Sequence, residues 1–171
     1  MAGSNRVLFS LFLSAAAFTP ARAQTAPALW DRLPGHWVMT GTIDGRQTTH
    51  DLDADLVLKS GYVRLHEVSR EKDRAGGPEY EAIIIISRDP KSGDYAALWL
   101  DNTSAGGLSG PIAHAKPTAT SIPFIFDFGG NHVFRNTFTY TAKTDTWEWT
   151  LDDDTNGTLT PFARLKLTRK R

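Results

Sequence analysis

His66, His132 and Asp101 are the residues of this chain best suited to proton chemistry. An imidazole changes charge near neutral pH, and a carboxylate beside it orients the ring or shares its proton. A fold that brings Asp101 to either histidine would therefore hold an acid–base pair. The plainer reading of each histidine is a half-buried ring satisfied by a carbonyl or an acid. Arg64 shares a strand face with Tyr62, His66 and Val68, where it could orient the polar group of a ligand. Trp99, Phe124, Phe126, Phe134 and Phe138 would supply apolar walls around that ligand. The other histidines read as solvated, because His36 alternates with Trp37 while His50 and His114 fall near strand ends.

Other chemistries have less to work with. Without a cysteine the chain has no thiolate nucleophile, disulfide or lipid-modified cysteine anchor. Gly107-Leu108-Ser109-Gly110-Pro111 misses the G-x-S-x-G nucleophile elbow by one residue and lacks its strand-to-helix setting, so Ser109 reads as a loop serine. The histidines lack the spacing of a zinc site, and the glycine pairs punctuate turns rather than forming a phosphate loop. Asp152-Asp153-Asp154-Thr155-Asn156-Gly157 opens like a calcium loop, but its twelfth position is Ala163, not Glu. A β-turn with solvated acids is the expectation there. No pattern calls for a cofactor or a metal.

The first 23 residues set the expected address. Arg6 precedes the apolar run Val7 to Phe18, and Ala21-Arg22-Ala23 supplies the small-x-small pattern read by signal peptidase. Residues 1–23 are thus expected to be a signal peptide and 24–171 the mature domain, periplasmic or secreted. The run falls short of the roughly 20 apolar residues that cross a bilayer as a helix, and no later stretch approaches that length. Lys and Arg number 19 against 19 Asp and Glu, so no electrostatic footprint for nucleic acid is expected. About 150 residues can bury roughly 70 % of the unfolded surface, sufficient for one core.

The elements that must position these side chains are strands. Alternation and turn residues mark them at Gly35–Asp44, Gln47–Leu58, Tyr62–Arg70, Glu79–Arg88, Tyr95–Asp101, Leu108–Ala115, Ser121–Phe128, His132–Ala142, Thr146–Leu151 and Thr160–Thr168. Asp44-Gly45, Ala75-Gly76-Gly77-Pro78, Gly129-Gly130-Asn131 and Asn156-Gly157 separate them with recognisable turn chemistry. Only Ala28–Leu33 reads as helix, one short piece at the N-terminal side. The fold class is all-β: a single antiparallel up-and-down barrel of about ten strands, closed on itself to avoid exposed edges. Trp147, Trp149 and Leu151 share an apolar face, as do Phe134, Phe138 and Tyr140. Ile83 to Ile86 is apolar on both faces, which suggests that a second copy of the chain covers that strand in a homodimer.

Leu33-Pro34-Gly35-His36-Trp37 followed by Gly41 resembles the G-x-W opening of lipocalin-like (calycin) barrels. The resemblance implies that Trp37 plugs one end and that a basic residue of the last strand packs across the indole; Arg164, Lys166 and Arg169 are the candidates. Together with Trp99-Leu100-Asp101-Asn102 and Gly106-Gly107-Leu108-Ser109-Gly110, the layout is similar to uncharacterised exported bacterial domains related to nitrobindins and fatty-acid-binding proteins. It departs from both relatives. Nothing after His132 could serve as a late axial haem ligand, and Arg164-Leu165-Lys166 lacks the tyrosine of an Arg-x-Tyr carboxylate clamp.

A barrel of this size that binds a small hydrophobic or amphipathic molecule in its interior is the reading these features support. Its expected ligand contacts are Arg64, His66, Trp99, Asp101, Phe124, Phe126, His132, Phe134 and Phe138, with Gly35, Trp37 and Arg164 in structural roles. Two alternatives remain open: an isomerase, cyclase or hydrolase built on an enclosed His/Asp pair, and an interaction module whose barrel is filled.

Overall fold

Turn residues cut the chain into hairpins. Asp44 and Gly45 take φ of 48° and 72°, and Asn156 and Gly157 take 54° and 79°, the left-handed pairs that match the twist of two flanking strands. The computed structural model describes residues 28–103 and 107–170. The expected leader and its cleavage site lie outside the described residues.

Ten strands follow in order: β1 (Gly35–Ile43), β2 (Arg46–Val57), β3 (Tyr62–Ser69), β4 (Glu81–Arg88), β5 (Tyr95–Asp101), β6 (Ala113–Ala115), β7 (Ser121–Gly129), β8 (His132–Thr141), β9 (Thr146–Thr155) and β10 (Thr158–Arg169). Each pairs antiparallel with its sequence neighbour, and β10 returns to β1, with Trp37 opposite Arg169 and Gly41 opposite Leu165. The sheet is therefore a closed barrel. No helix among the described residues is long and apolar enough to cross a membrane.

Three local expectations change. The short N-terminal helix is a single 3₁₀ turn, Leu29–Arg32. The strand expected over Leu108–Ala115 shrinks to the three residues of β6, with a 3₁₀ turn at Gly107–Ser109 before it. The acidic run is not a solvated turn: β9 extends through Thr155, and Asp152, Asp153 and Asp154 bond to Arg164, His132 and Arg135 respectively.

Alternation along the strands sorts the side chains into an inner and an outer layer. Trp37, Met39, Leu52, Leu65, Ile84, Ile86, Phe124, Phe138, Trp147 and Trp149 are almost fully buried and fill the barrel from one end to its middle. Ile84 and Ile86 belong to that core, while Ile83, 38 % exposed, and the half-buried Ile85 face outward. The tetrad is thus covered on one face by the chain's own interior.

The closed end is built around Trp37. Its indole N–H donates to the Leu33 carbonyl at 2.9 Å, and the Arg169 guanidinium lies 4.1 Å over its ring. Arg169 also donates to Asp145 at 2.5 Å and to the Pro34 carbonyl at 3.0 Å. Gly35 sits at φ +138°, a backbone angle that favours glycine, and a Cβ there would lie 2.2 Å from Arg169 Nη1 and push the guanidinium from its place. Arg169 is the basic partner of the indole. Arg164, expected as a structural candidate for that place, instead reaches Asp152 at 2.5 Å, because its side chain leaves the outer face of β10 some way from the closed end.

One part of the wall is thin. β6 contributes three residues against β5 and meets β7 through the single register pair His114 and Ile125. The ends of β5 and β7 nearest the open mouth extend beyond this short ladder.

Candidate functional site

The end opposite Trp37 is hollow. A cavity of about 740 Å³ opens between the β1–β2, β7–β8 and β9–β10 hairpins, so the barrel is filled over one half only. Its apolar wall comes from Trp99, Phe126, Phe134, Trp149, Phe162 and Leu165. Trp99 packs against both Trp149 and Phe126, with ring centroids 5.5 and 6.2 Å apart, and Phe134 meets Phe162 edge-on at 5.5 Å. Such pairs favour tilted and edge-to-face geometry, which fixes the rings as a rigid wall.

The floor is polar and buried. His50 on β2 and Glu67 on β3 are diagonal neighbours, since His50 stands opposite Ser69 and Leu52 opposite Glu67. Both side chains are 3 % exposed, and His50 Nδ1 lies 2.5 Å from Glu67 Oε1. On its other side His50 Nε2 is 2.7 Å from the Thr48 hydroxyl, which donates to Glu71 at 3.0 Å. Burial pushes the Glu67 carboxyl above the ordinary carboxylate range, against the opposing pull of His50, and the charge of Asp101 adds to the rise. Burial acts on Glu71 too, but hydrogen bonds from its own and Thr49's backbone N–H and from Thr48 outweigh it and leave the group below its usual range.

Tyr80 closes the floor beside this pair. Its backbone N–H donates to the Ser69 hydroxyl at 2.9 Å and its carbonyl accepts from the Ser69 N–H at 2.9 Å, which pins it just before β4. Its ring lies 5.7 Å from that of His50. The phenol accepts from Trp99 Nε1 at 3.1 Å and is hydrogen-bonded to Asp101. Burial, with the nearby charges of Glu67 and Asp101, raises its pKa strongly, so the phenol stays protonated. Among the described residues, no three His, Cys, Asp or Glu side chains are arranged to hold a metal ion.

The expected contacts divide into three groups. Trp99, Asp101, Phe126, His132 and Phe134 line the cavity, His132 at its rim where it bonds to Asp153 at 2.9 Å and stacks on Phe128. Phe124 and Phe138 do not line it; they lie deeper, 2 % exposed each, with Phe138 stacked on Trp149 at 4.4 Å. Arg64 and His66 face outward, bonded to Asp55 at 2.6 Å and Glu81 at 2.7 Å. The inner face of β3 is the other one, Val63, Leu65, Glu67 and Ser69, because two branched apolar residues gain more from burial than Arg64 and His66 lose by facing water. His50 is likewise buried rather than solvated, since β2 runs past it to Arg46 and is paired on both sides.

His50, Glu67 and Tyr80 therefore form the polar centre, and none of them stood among the expected contacts. The signal lay in the alternation of Tyr62 to Ser69: reading the Val63–Leu65 face as interior places Glu67 inside with them. The chain matches no family model, and a search of curated proteins returns no similar sequence.

Proposed function

We propose that this protein is an exported carrier or receptor that takes a small amphipathic molecule through its open end. The observation that carries the reading is a one-ended hollow of about 740 Å³ with an aromatic wall and a buried polar floor. Ligand sites typically enclose ~300–1,000 Å³, mostly apolar, with a few placed polar groups. The leader-like segment Arg6 to Ala23 supports export, to the periplasm or outside the cell. The Gly35–Trp37–Arg169 plug supports a calycin-like relationship, in which one end is sealed and the other serves the ligand.

The test is binding of an apolar fluorescent probe by the purified protein. Tryptophan emission should shift through Trp99 and Trp149, and the melting temperature should rise with the logarithm of probe concentration once the site is filled. Phe134→Trp narrows the cavity and should weaken probe binding at least fivefold with little loss of thermal stability. Absence of binding at micromolar probe, extracted lipids included, would end the carrier reading.

The buried His50–Glu67 pair at the cavity floor favours a second reading, acid–base catalysis by an isomerase, cyclase or hydrolase. Turnover of a substrate that is lost in Glu67→Gln would move the assignment there.

A further inference from the structure

Resting on the carrier reading, we infer that the ligand's polar end is a hydrogen-bond donor, an alcohol or an amine, seated on Glu67 Oε2, and that carboxylates are rejected. Glu67 Oε2 is buried, has no hydrogen-bond partner and belongs to a side chain that lines the cavity. Buried polar atoms are almost always paired, so an orphan beside a hollow marks the place a ligand atom would fill.

Proton counting fixes the sense of that bond. Thr48 has one hydroxyl hydrogen and gives it to Glu71, which is ionised at neutral pH. Thr48 Oγ1 must therefore accept from His50 Nε2–H across their 2.7 Å contact. With Nε2 protonated, the 2.5 Å contact between His50 Nδ1 and Glu67 Oε1 holds one proton, on the nitrogen or on the oxygen. Either position leaves Oε2 bare. A second proton would leave the buried pair with a net positive charge, which is strongly disfavoured.

The surroundings have the same polarity. Tyr80 accepts from Trp99, and its own hydrogen is directed to Asp101. Asp101 Oδ1 takes the backbone N–H and the hydroxyl of Thr103 at 2.9 and 2.7 Å. Nearer the mouth stand Asp44, Glu71, Glu79 and Asp153, while Arg46 is engaged with Glu79 at 3.3 Å. A ligand carboxylate would thus meet acceptors and like charge, whereas an alcohol finds an acceptor and an ammonium finds both an acceptor and a favourable field.

A series of decyl amphiphiles with one common tail separates these effects. Decylamine and decanol should displace the fluorescent probe, decanoate should bind at least tenfold more weakly than decanol, and decyltrimethylammonium, a cation without a donor, at least fivefold more weakly than decylamine. Glu67→Gln should keep the order, because its amide nitrogen donates to His50 Nδ1 and turns the carbonyl oxygen into the cavity. Glu67→Met should shrink the advantage of decanol over decanoate severalfold, with a thermal melt reporting that the barrel is folded. If that variant does not fold, the head-group series and Glu67→Gln carry the test. Equal binding of decanoate and decanol by the native protein, or of both cations, overturns the inference while leaving the carrier reading intact. Failure of every amphiphile and of the probe overturns both.

Discussion

Arg169 lies across Trp37 with its guanidinium carbon 4.1 Å from the indole centroid, and the same side chain bonds the Asp145 carboxylate at 2.5 Å. The last strand is thereby fastened to the first through a stacked cation and to the β8–β9 turn through an ion pair. Cation–π contacts contribute about 0.5–2 kcal/mol depending on desolvation.

Trp37→Ala should lower stability by roughly 3–5 kcal/mol, the cost of truncating a buried tryptophan. Arg169→Ala should cost less, about 1–2 kcal/mol, since its stacking is lost while the indole stays buried. Arg164→Ala should change the melting temperature least, because that residue pairs with Asp152 away from the plug. Denaturant unfolding monitored by circular dichroism ranks the three, and an Arg164→Ala effect as large as that of Arg169→Ala would contradict the assignment of the plug.

Acid should weaken two ion pairs of the barrel, one of them at the plug. Arg70, assisted by Lys170, holds Asp51 down at about 2, and Arg169 holds Asp145 below the usual aspartate range. Both folded values lie under the unfolded 3.8. Their contribution is therefore complete above about pH 4 and is lost as pH falls toward 2 and below. Both pairs are partly exposed, so each contributes little, and salt weakens them. Stability measured between pH 5 and 2 should fall, and Asp51→Asn with Asp145→Asn should flatten that slope.

Calcium should leave the melting curve where it is. The three carboxylates of the Asp152–Asp154 run are bonded to Arg164, His132 and Arg135, on alternating faces of a strand, and do not converge. A site filled at 100 times its dissociation constant would add about 2.7 kcal/mol. A saturable rise in melting temperature, abolished by Asp152→Asn with Asp154→Asn, would disprove this reading.

The barrel was legible because its signals are local. Period-two alternation and dipeptides such as Asp44-Gly45 and Asn156-Gly157 act within a few residues and reappear in the structure as hairpins. The site was not, because it depends on register and on a choice of face. The outer face of β3 carries His66 and so drew the expectation of chemistry, while burial of Val63 and Leu65 turned Glu67 inward instead. His50 becomes a partner of Glu67 only through the pairing of β2 with β3, and Arg169 rather than Arg164 covers Trp37 only through the pairing of β10 with β1. Trp99, Phe126 and Phe134 line the hollow because they stand at the open half of their strands, whereas Phe124 and Phe138, placed two or four residues further from the mouth, fall into the packed half.

If the barrel is the carrier proposed above, the short ladder of β6 separates how long a ligand stays from how firmly the barrel is folded. Local opening takes less free energy where few hydrogen bonds and little apolar surface hold an element in place. With one register pair joining β6 to β7, that stretch of wall should open at a lower free-energy cost than global unfolding, and its amides should exchange with solvent ahead of those of β8, β9 and β10. Gly110 and Pro111, on the stretch leading into β6, line the cavity, so an opening there would also unseal it from the side. Residence time should then follow the breathing of three residues. Two variants with the same melting temperature can hold the same ligand for very different times.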